Sequence, residues 1–306
     1  MNGDQSPAPA RPGEHPLEVR ELRVPVQGGQ LAVSHWPGDT AHGADDAEPV
    51  VALHGITANG RVFDALARRL PDRHLYAPDL RGRAGSRRLP GPYGLGAHVR
   101  DLIALLDHLG RTGPRRVVLL GHSMGAFTAA LAAAHHPERF RRVLLVDGGL
   151  GITAPPGDID AQLDAVIGPA MRRLDMTFPD RDAYRAFFAA HPALAAHWGE
   201  DVRGYVDRDL VGEPPAMRSS CVKAAIREDG ADVLGNPDIT AAAHRIDVPA
   251  ELLWAERGLL DEPQGLYDEH RVAGSPVPAR PVPDTNHYSI LLADHATRAL
   301  ARAVRT

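Results

Sequence analysis

The chain has 306 residues, 43% hydrophobic and 24% charged, with a net charge of −5 and an isoelectric point near 6.3. That balance suits a soluble globular protein built as one large domain or as a core with an inserted lobe. It excludes the basic footprint of a nucleic-acid binder, and no run approaches the roughly 18 apolar residues that a membrane-spanning helix needs.

Residues 1–16 form a Pro-rich stretch without a basic start or an apolar core, which predicts a disordered tail and no secretory signal. A cytoplasmic location is the expectation that goes with it. Glu18–Val26 and Leu31–Trp36 flank Gln27-Gly28-Gly29-Gln30 and read as a hairpin. Short apolar runs then recur at Val50–Leu53, His74–Ala77, Val117–Leu120, Val143–Val146 and Ala250–Trp254. Arg280–Pro283 is an eighth candidate, and its prolines confine it to an edge. Helical patterns lie between these runs at Val62–Leu70, Leu95–Leu109 and Gly125–His136, with Ile290–Val304 closing the chain. Unbroken apolar strands alternating with helices imply a mostly parallel eight-stranded sheet flanked by helices.

Residues 151–240 differ. They are helical in tendency, rich in Pro, Asp and Arg, and carry Phe178, Tyr184, Phe187, Phe188, Trp198 and Tyr205 with no strand-like run. The expected division is a core of 17–150 and 241–306 with a helical cap at 151–240, inserted after the sixth strand. The lone Cys221 excludes an intrachain disulfide. No G-x-G-x-x-G follows a strand, and there is no P-loop and no H-E-x-x-H, so neither cofactor nor metal is expected.

Gly121-His122-Ser123-Met124-Gly125 stands where the fifth strand hands over to a small-residue helix. Two glycines permit a turn too tight for a Cβ at either place. Such a turn lifts Ser123 above the sheet at a helix N-terminus, where outward N–H groups and the dipole favour negative charge. A serine so placed can attack a carbonyl carbon while the N–H of Met124 holds the oxyanion.

With that elbow, the chain resembles the α/β-hydrolase superfamily from about residue 18 to its end. Leu53-His54-Gly55-Ile56 is similar to the family's His-Gly loop after the third strand. Pro78-Asp79-Leu80-Arg81-Gly82-Arg83-Ala84-Gly85-Ser86 is similar to its D-x-x-G-x-G-x-S loop, and Asn286-His287-Tyr288 to its histidine loop. The resemblance implies the α/β-hydrolase fold with Ser123 as nucleophile and His287 as general base. It implies an oxyanion hole made by the backbone N–H groups of Ile56 and Met124. His122 is expected to point to the opposite side of the elbow and pack.

The acid departs from the pattern. The family usually places an aspartate just past the seventh strand, and Gly258 stands there. Asp147, at the tip of the sixth strand, resembles the arrangement in certain dehalogenases and lactone hydrolases and is taken as the acid. Asp261 is the alternative. A serine with a base and an oxyanion hole favours acyl chemistry. The expected activity is hydrolysis of a carboxylic ester or lactone of a small apolar molecule through an acyl-enzyme. Carbon–carbon hydrolysis or acyl transfer with the same residues, and a catalytically silent binding protein, are the alternatives. The partner expected is a small-molecule substrate; oligomeric state is left open.

Overall fold

Eight strands pair into one sheet in the computed structural model, which describes residues 17–44, 47–152 and 154–306. The tail expected at 1–16 lies outside the described residues. The strands are β1 (Arg20–Val26), β2 (Gly29–Trp36), β3 (Val50–Leu53), β4 (Leu75–Pro78), β5 (Val117–His122), β6 (Phe140–Val146), β7 (Ala250–Arg257) and β8 (Ala279–Asn286). Their order is β1-β2-β4-β3-β5-β6-β7-β8. The β1–β2 hairpin and the β2–β4 pairing are antiparallel, and every other pairing is parallel.

The central strands are apolar throughout because both of their faces are covered. Along β5 and β6, Leu119 and Leu145 join one core while Leu120 and Leu144 join the other. The first core is closed by α1 (Leu95–His108) and α2 (Met124–His135), the second by the last helix of the chain. Helix α2 is built almost wholly of small buried residues, among them Ala126, Ala129, Ala130 and Ala133, which lets it lie close to the sheet.

The chain order reverses around β3, whose neighbours are β4 and β5. In open α/β sheets the crevice at such a switch point, beyond the carboxyl ends of the strands, is where ligands bind. Here the register sets Leu53 beside Gly121, so the turn after β3 abuts the turn after β5.

Between β6 and β7 lie α3 (Ile159–Arg173), α4 (Arg181–Ala189), α5 (Glu200–Asp209) and α6 (Lys223–Gly235). The chain then closes with α7 (Asp294–Arg305). Tyr184, Phe188, Val202 and Val206 of the inserted stretch belong to the same apolar cluster as β5, β6 and α7. Ion pairs tie the insertion down as well: Arg208 Nη2 lies 2.6 Å from Asp79 Oδ2, and Arg83 Nη1 lies 2.5 Å from Asp229 Oδ2.

Three local readings need correction. The 151–240 stretch is not free of strands, because Leu210–Val211 pairs with Arg218–Ser219 and Phe178 bridges to Met217. Two-residue strands carry no periodicity for a sequence to display. The helix expected over Val62–Leu70 shrinks to a 3₁₀ turn at Gly60–Phe63 and one helical turn at Asp64–Ala67. Buried Asp64, held by Arg61 and by the indole N–H of Trp36, takes the place of a longer apolar face. The eighth strand runs on to Asn286; it sits at the sheet edge, where prolines leave no ladder bond unmade.

Candidate active site

Ser123 sits between β5 and α2 with φ 54° and ψ −124°, a backbone conformation that L-residues adopt only under constraint. The constraint is close packing. A Cβ on Gly121 would come within 2.1 Å of Gly125 O, and one on Gly125 within 2.1 Å of Leu53 O. The half-buried hydroxyl faces the turn after β3, with Oγ 3.6 Å from where a Cβ on Gly55 would stand.

His287 follows β8 and is buried. Its Nδ1–H donates to Asp147 Oδ2 at 2.6 Å. An ionised carboxylate only accepts, so this bond places the ring proton on Nδ1 and leaves the Nε2 lone pair available. Asp147 stands at the tip of β6 with φ 43°, fully buried, and its other oxygen accepts the Ala255 N–H at 3.0 Å. Asp261, the alternative acid, holds Arg257 at 2.7 Å and the Asn286 amide at 2.9 Å instead, and no contact joins it to His287 among the described residues. Those two partners keep its carboxyl below the ordinary range, Asn286 foremost. Glu256 is exposed and accepts the Asp284 N–H at 3.0 Å.

His122 does pack, but toward His287 rather than away from it. The two rings lie 4.7 Å apart, and His122 Nε2–H donates to the His287 carbonyl at 2.8 Å. Burial, then the neighbouring His287 ring, holds His122 well below its ordinary pKa, so it stays neutral. Ser123 Oγ makes no hydrogen bond among the described residues. It is the chain neighbour of Ser123, gripping the His287 backbone, that brings elbow and histidine loop together.

The N–H groups of Ile56 and Met124 donate to no protein group among the described residues, while their surroundings are tightly bonded. His54 is fully buried, and burial lowers its pKa to about 3. Its Nδ1–H donates to Gly55 O at 2.7 Å and its Nε2 accepts the Leu80 N–H at 2.9 Å. In a trans peptide, fixing the Gly55 carbonyl aims the Ile56 N–H the opposite way. Arg83, also fully buried, donates from Nε to Ile56 O at 2.9 Å and reaches Met124 Sδ at 3.9 Å. Asp229 of α6 balances its charge, and His98 Nε2 lies 2.9 Å from the same Asp229 oxygen. Sequence reasoning passed over Arg83 and Asp229. They lie far apart in the chain, and nothing local marks them as partners.

Beside this cluster opens a cavity of about 490 Å³. Thr57 and Tyr288, the chain neighbours of Ile56 and His287, line it; so do Ile167, Phe187, Phe188 and Leu259. Of the aromatics singled out in the 151–240 stretch, Phe178, Tyr184 and Trp198 do not border it. Among the described residues no three His, Cys, Asp or Glu side chains converge as metal ligands.

A family model described as alpha/beta hydrolase fold matches residues 48–269. Over 111 residues the chain is 36% identical to lipase LipV of Mycobacterium tuberculosis, covering 36% of this chain and 41% of that one, so it spans under half of that relative's length. Over 238 residues it is 28% identical to a pimeloyl-[acyl-carrier protein] methyl ester esterase of Neisseria meningitidis serogroup B, covering 76% of this chain and 83% of that one. Among solved structures, E-2-(acetamidomethylene)succinate hydrolase superposes with a TM-score of 0.75 at 22% identity, over 94% of this chain and all of that one.

Proposed function

This chain belongs to the α/β-hydrolase fold family, and on that premise we propose that it is a serine hydrolase cleaving a carboxylic ester or lactone of a small apolar molecule. The observation that carries the reading is the 2.6 Å bond from the Nδ1–H of His287, just after β8, to buried Asp147 at the tip of β6. With Nδ1 so engaged, Nε2 is the ring nitrogen left to serve as base for the elbow serine in this reading.

In this mechanism Ser123 Oγ attacks the acyl carbon as His287 Nε2 takes its proton. The N–H groups of Ile56 and Met124 receive the charge that develops on the carbonyl oxygen, and Asp147 stabilises the imidazolium. The ring then protonates the departing alkoxide. In the second half it takes a proton from water, which attacks the acyl-enzyme, and returns that proton to Ser123. His54 and Arg83 do not touch substrate in this scheme; they hold the oxyanion loop in position. The 151–240 stretch serves as the cap, supplying one wall of the cavity. The lipase and methyl ester esterase among the relatives support an ester as the bond cleaved.

The test is release of p-nitrophenol from short-chain p-nitrophenyl esters by wild type and Ser123→Ala. The expected result is turnover by the wild type and a loss of about 10³-fold or more in the variant. Equal rates would refute the assignment, and ligand binding without turnover in both proteins would favour a silent binder.

A further inference from the structure

One arginine in the cavity wall has hydrogen-bonding capacity left over. Arg173 closes α3 and is only 4% exposed, yet it borders the cavity. Its Nη1 donates to Asp209 Oδ2 at 2.6 Å and to the Tyr184 hydroxyl at 2.7 Å. Its Nη2 makes one long contact of 3.4 Å with Thr57 O. A guanidinium carries five N–H donors. The Nε–H and the second Nη2–H therefore engage nothing among the described residues. The group is also held in place, with its central carbon 5.1 Å from the centre of the Phe188 ring. Buried polar groups almost always find partners, so donors without a protein partner on a fixed, buried cation in a cavity wall mark a place for an acceptor atom.

The charge balance says which kind of acceptor. Asp209 neutralises Arg173, and it is itself well supplied, accepting from Tyr184, from both Ser219 and Ser220 hydroxyls and from the Ser220 N–H. The other charged residues on the wall, Arg271 and Glu262, are exposed and opposite in sign. The cavity thus offers hydrogen-bond donors without net positive charge. An anion drawn into it would leave water with no compensating charge, whereas a carbonyl oxygen loses far less.

We propose that Arg173 forms a recognition subsite for an uncharged oxygen acceptor, such as a ketone or amide carbonyl, carried on the apolar substrate away from the bond that is cleaved. This rests on the ester-hydrolase reading and narrows its substrate class.

The experiment compares kcat/KM for p-nitrophenyl hexanoate, p-nitrophenyl 5-oxohexanoate and the p-nitrophenyl monoester of adipate. The keto ester is expected to exceed hexanoate by about tenfold, the worth of one hydrogen bond to a charged donor, with the adipate ester below hexanoate. Arg173→Leu with Asp209→Asn removes both buried charges together, and in it the keto-to-hexanoate ratio should fall to about one. A wild-type ratio near one overturns the proposal. So does a preference for adipate, or a tenfold ratio that survives in the double variant. If the double variant does not fold, the wild-type ratios still decide. A second arm measures binding of 2-octanone and octanoate to Ser123→Ala by calorimetry, with the ketone expected to bind about tenfold more tightly. Ketone preference there, without ester cleavage by wild type, would retain the subsite and reject the ester-hydrolase reading. Equal binding, or tighter octanoate, would overturn the subsite itself.

Discussion

Replacing Asp147 by asparagine strikes the site at its tightest contact. His287 Nδ1 and Asp147 Oδ2 are 2.6 Å apart in a pair removed from water. At that separation and an effective dielectric near 20, a carboxylate stabilises an imidazolium by about 6 kcal/mol. Asparagine preserves the shape and can still accept the Ala255 N–H. It removes the charge, however, and sets an amide N–H against the Nδ1–H of the ring. The imidazole must then tilt or move its proton to Nε2, the atom that has to accept the serine proton. At about 1.4 kcal/mol per decade the lost stabilisation corresponds to a fall of about 10⁴-fold in turnover, the size this change has in other Ser-His-Asp sites. The assay is p-nitrophenol release, with thermal melts of the same preparations as the folding control. Asp261→Asn is the comparison, since its side chain is 38% exposed and bound to Arg257 and Asn286. It should stay within a few-fold of wild type. A folded Asp147→Asn protein within tenfold of wild type would refute the reasoning, as would an equal loss in Asp261→Asn.

Further outcomes follow from buried contacts elsewhere. Gly125→Ala drives a methyl group against Leu53 O; overpacking of this kind costs about 1–3 kcal/mol, so the melting temperature should drop by several degrees and turnover with it, and an unchanged melt would show that the elbow can relax. Burial raises the Asp229 carboxyl, but Arg83 and His98 outweigh that and hold it below its ordinary value of 3.8. A depressed carboxylate contributes stability above its unfolded pKa and loses it as pH falls through the folded one. Wild type should therefore lose melting temperature on acidification below about pH 4. Asp229→Asn should melt lower at pH 7, by an amount corresponding to about 3–5 kcal/mol, and decline less steeply in acid; parallel curves would count against the pair. Burial, then Asp209, pushes the Cys221 thiol up to about 12. It should resist iodoacetamide at pH 8 in the folded protein and react at once in denaturant, and prompt labelling of the folded chain would contradict that environment.

The parts of the site that were legible in the sequence are those made by contiguous residues. The elbow depends on Gly121 and Gly125 flanking one serine, and the strands announce themselves because both faces of the sheet are covered. The acid was harder. Asp147 and Asp261 each follow a strand, and only the side-chain contacts separate them: Asp147 Oδ2 meets the His287 ring, while Asp261 is held by Arg257 and Asn286. His122 was misjudged for a related reason: the direction of its ring depends on the histidine loop, which arrives from the far end of the chain. The Arg83–Asp229 pair and the guanidinium of Arg173 were out of reach, because a buried charge and its counter-charge leave no mark on each other's local sequence. Short pieces of structure, such as the ribbon at Leu210–Val211, fall below any periodicity.

Placing the carboxylate on β6 alters what the end of β7 has to do. Near that tip the chain supplies Asp147 with the amide of Ala255, which any residue type except proline could supply, and the Gly258 carbonyl accepts the His287 N–H at 3.5 Å. If Asp147 is the acid, as proposed, the loop beyond β7, from Gly258 to Leu266, needs no part in proton handling; it borders the cavity. On the proposed assignment, variation in that loop retunes which guests are accepted and leaves the Asp147–His287 pair intact.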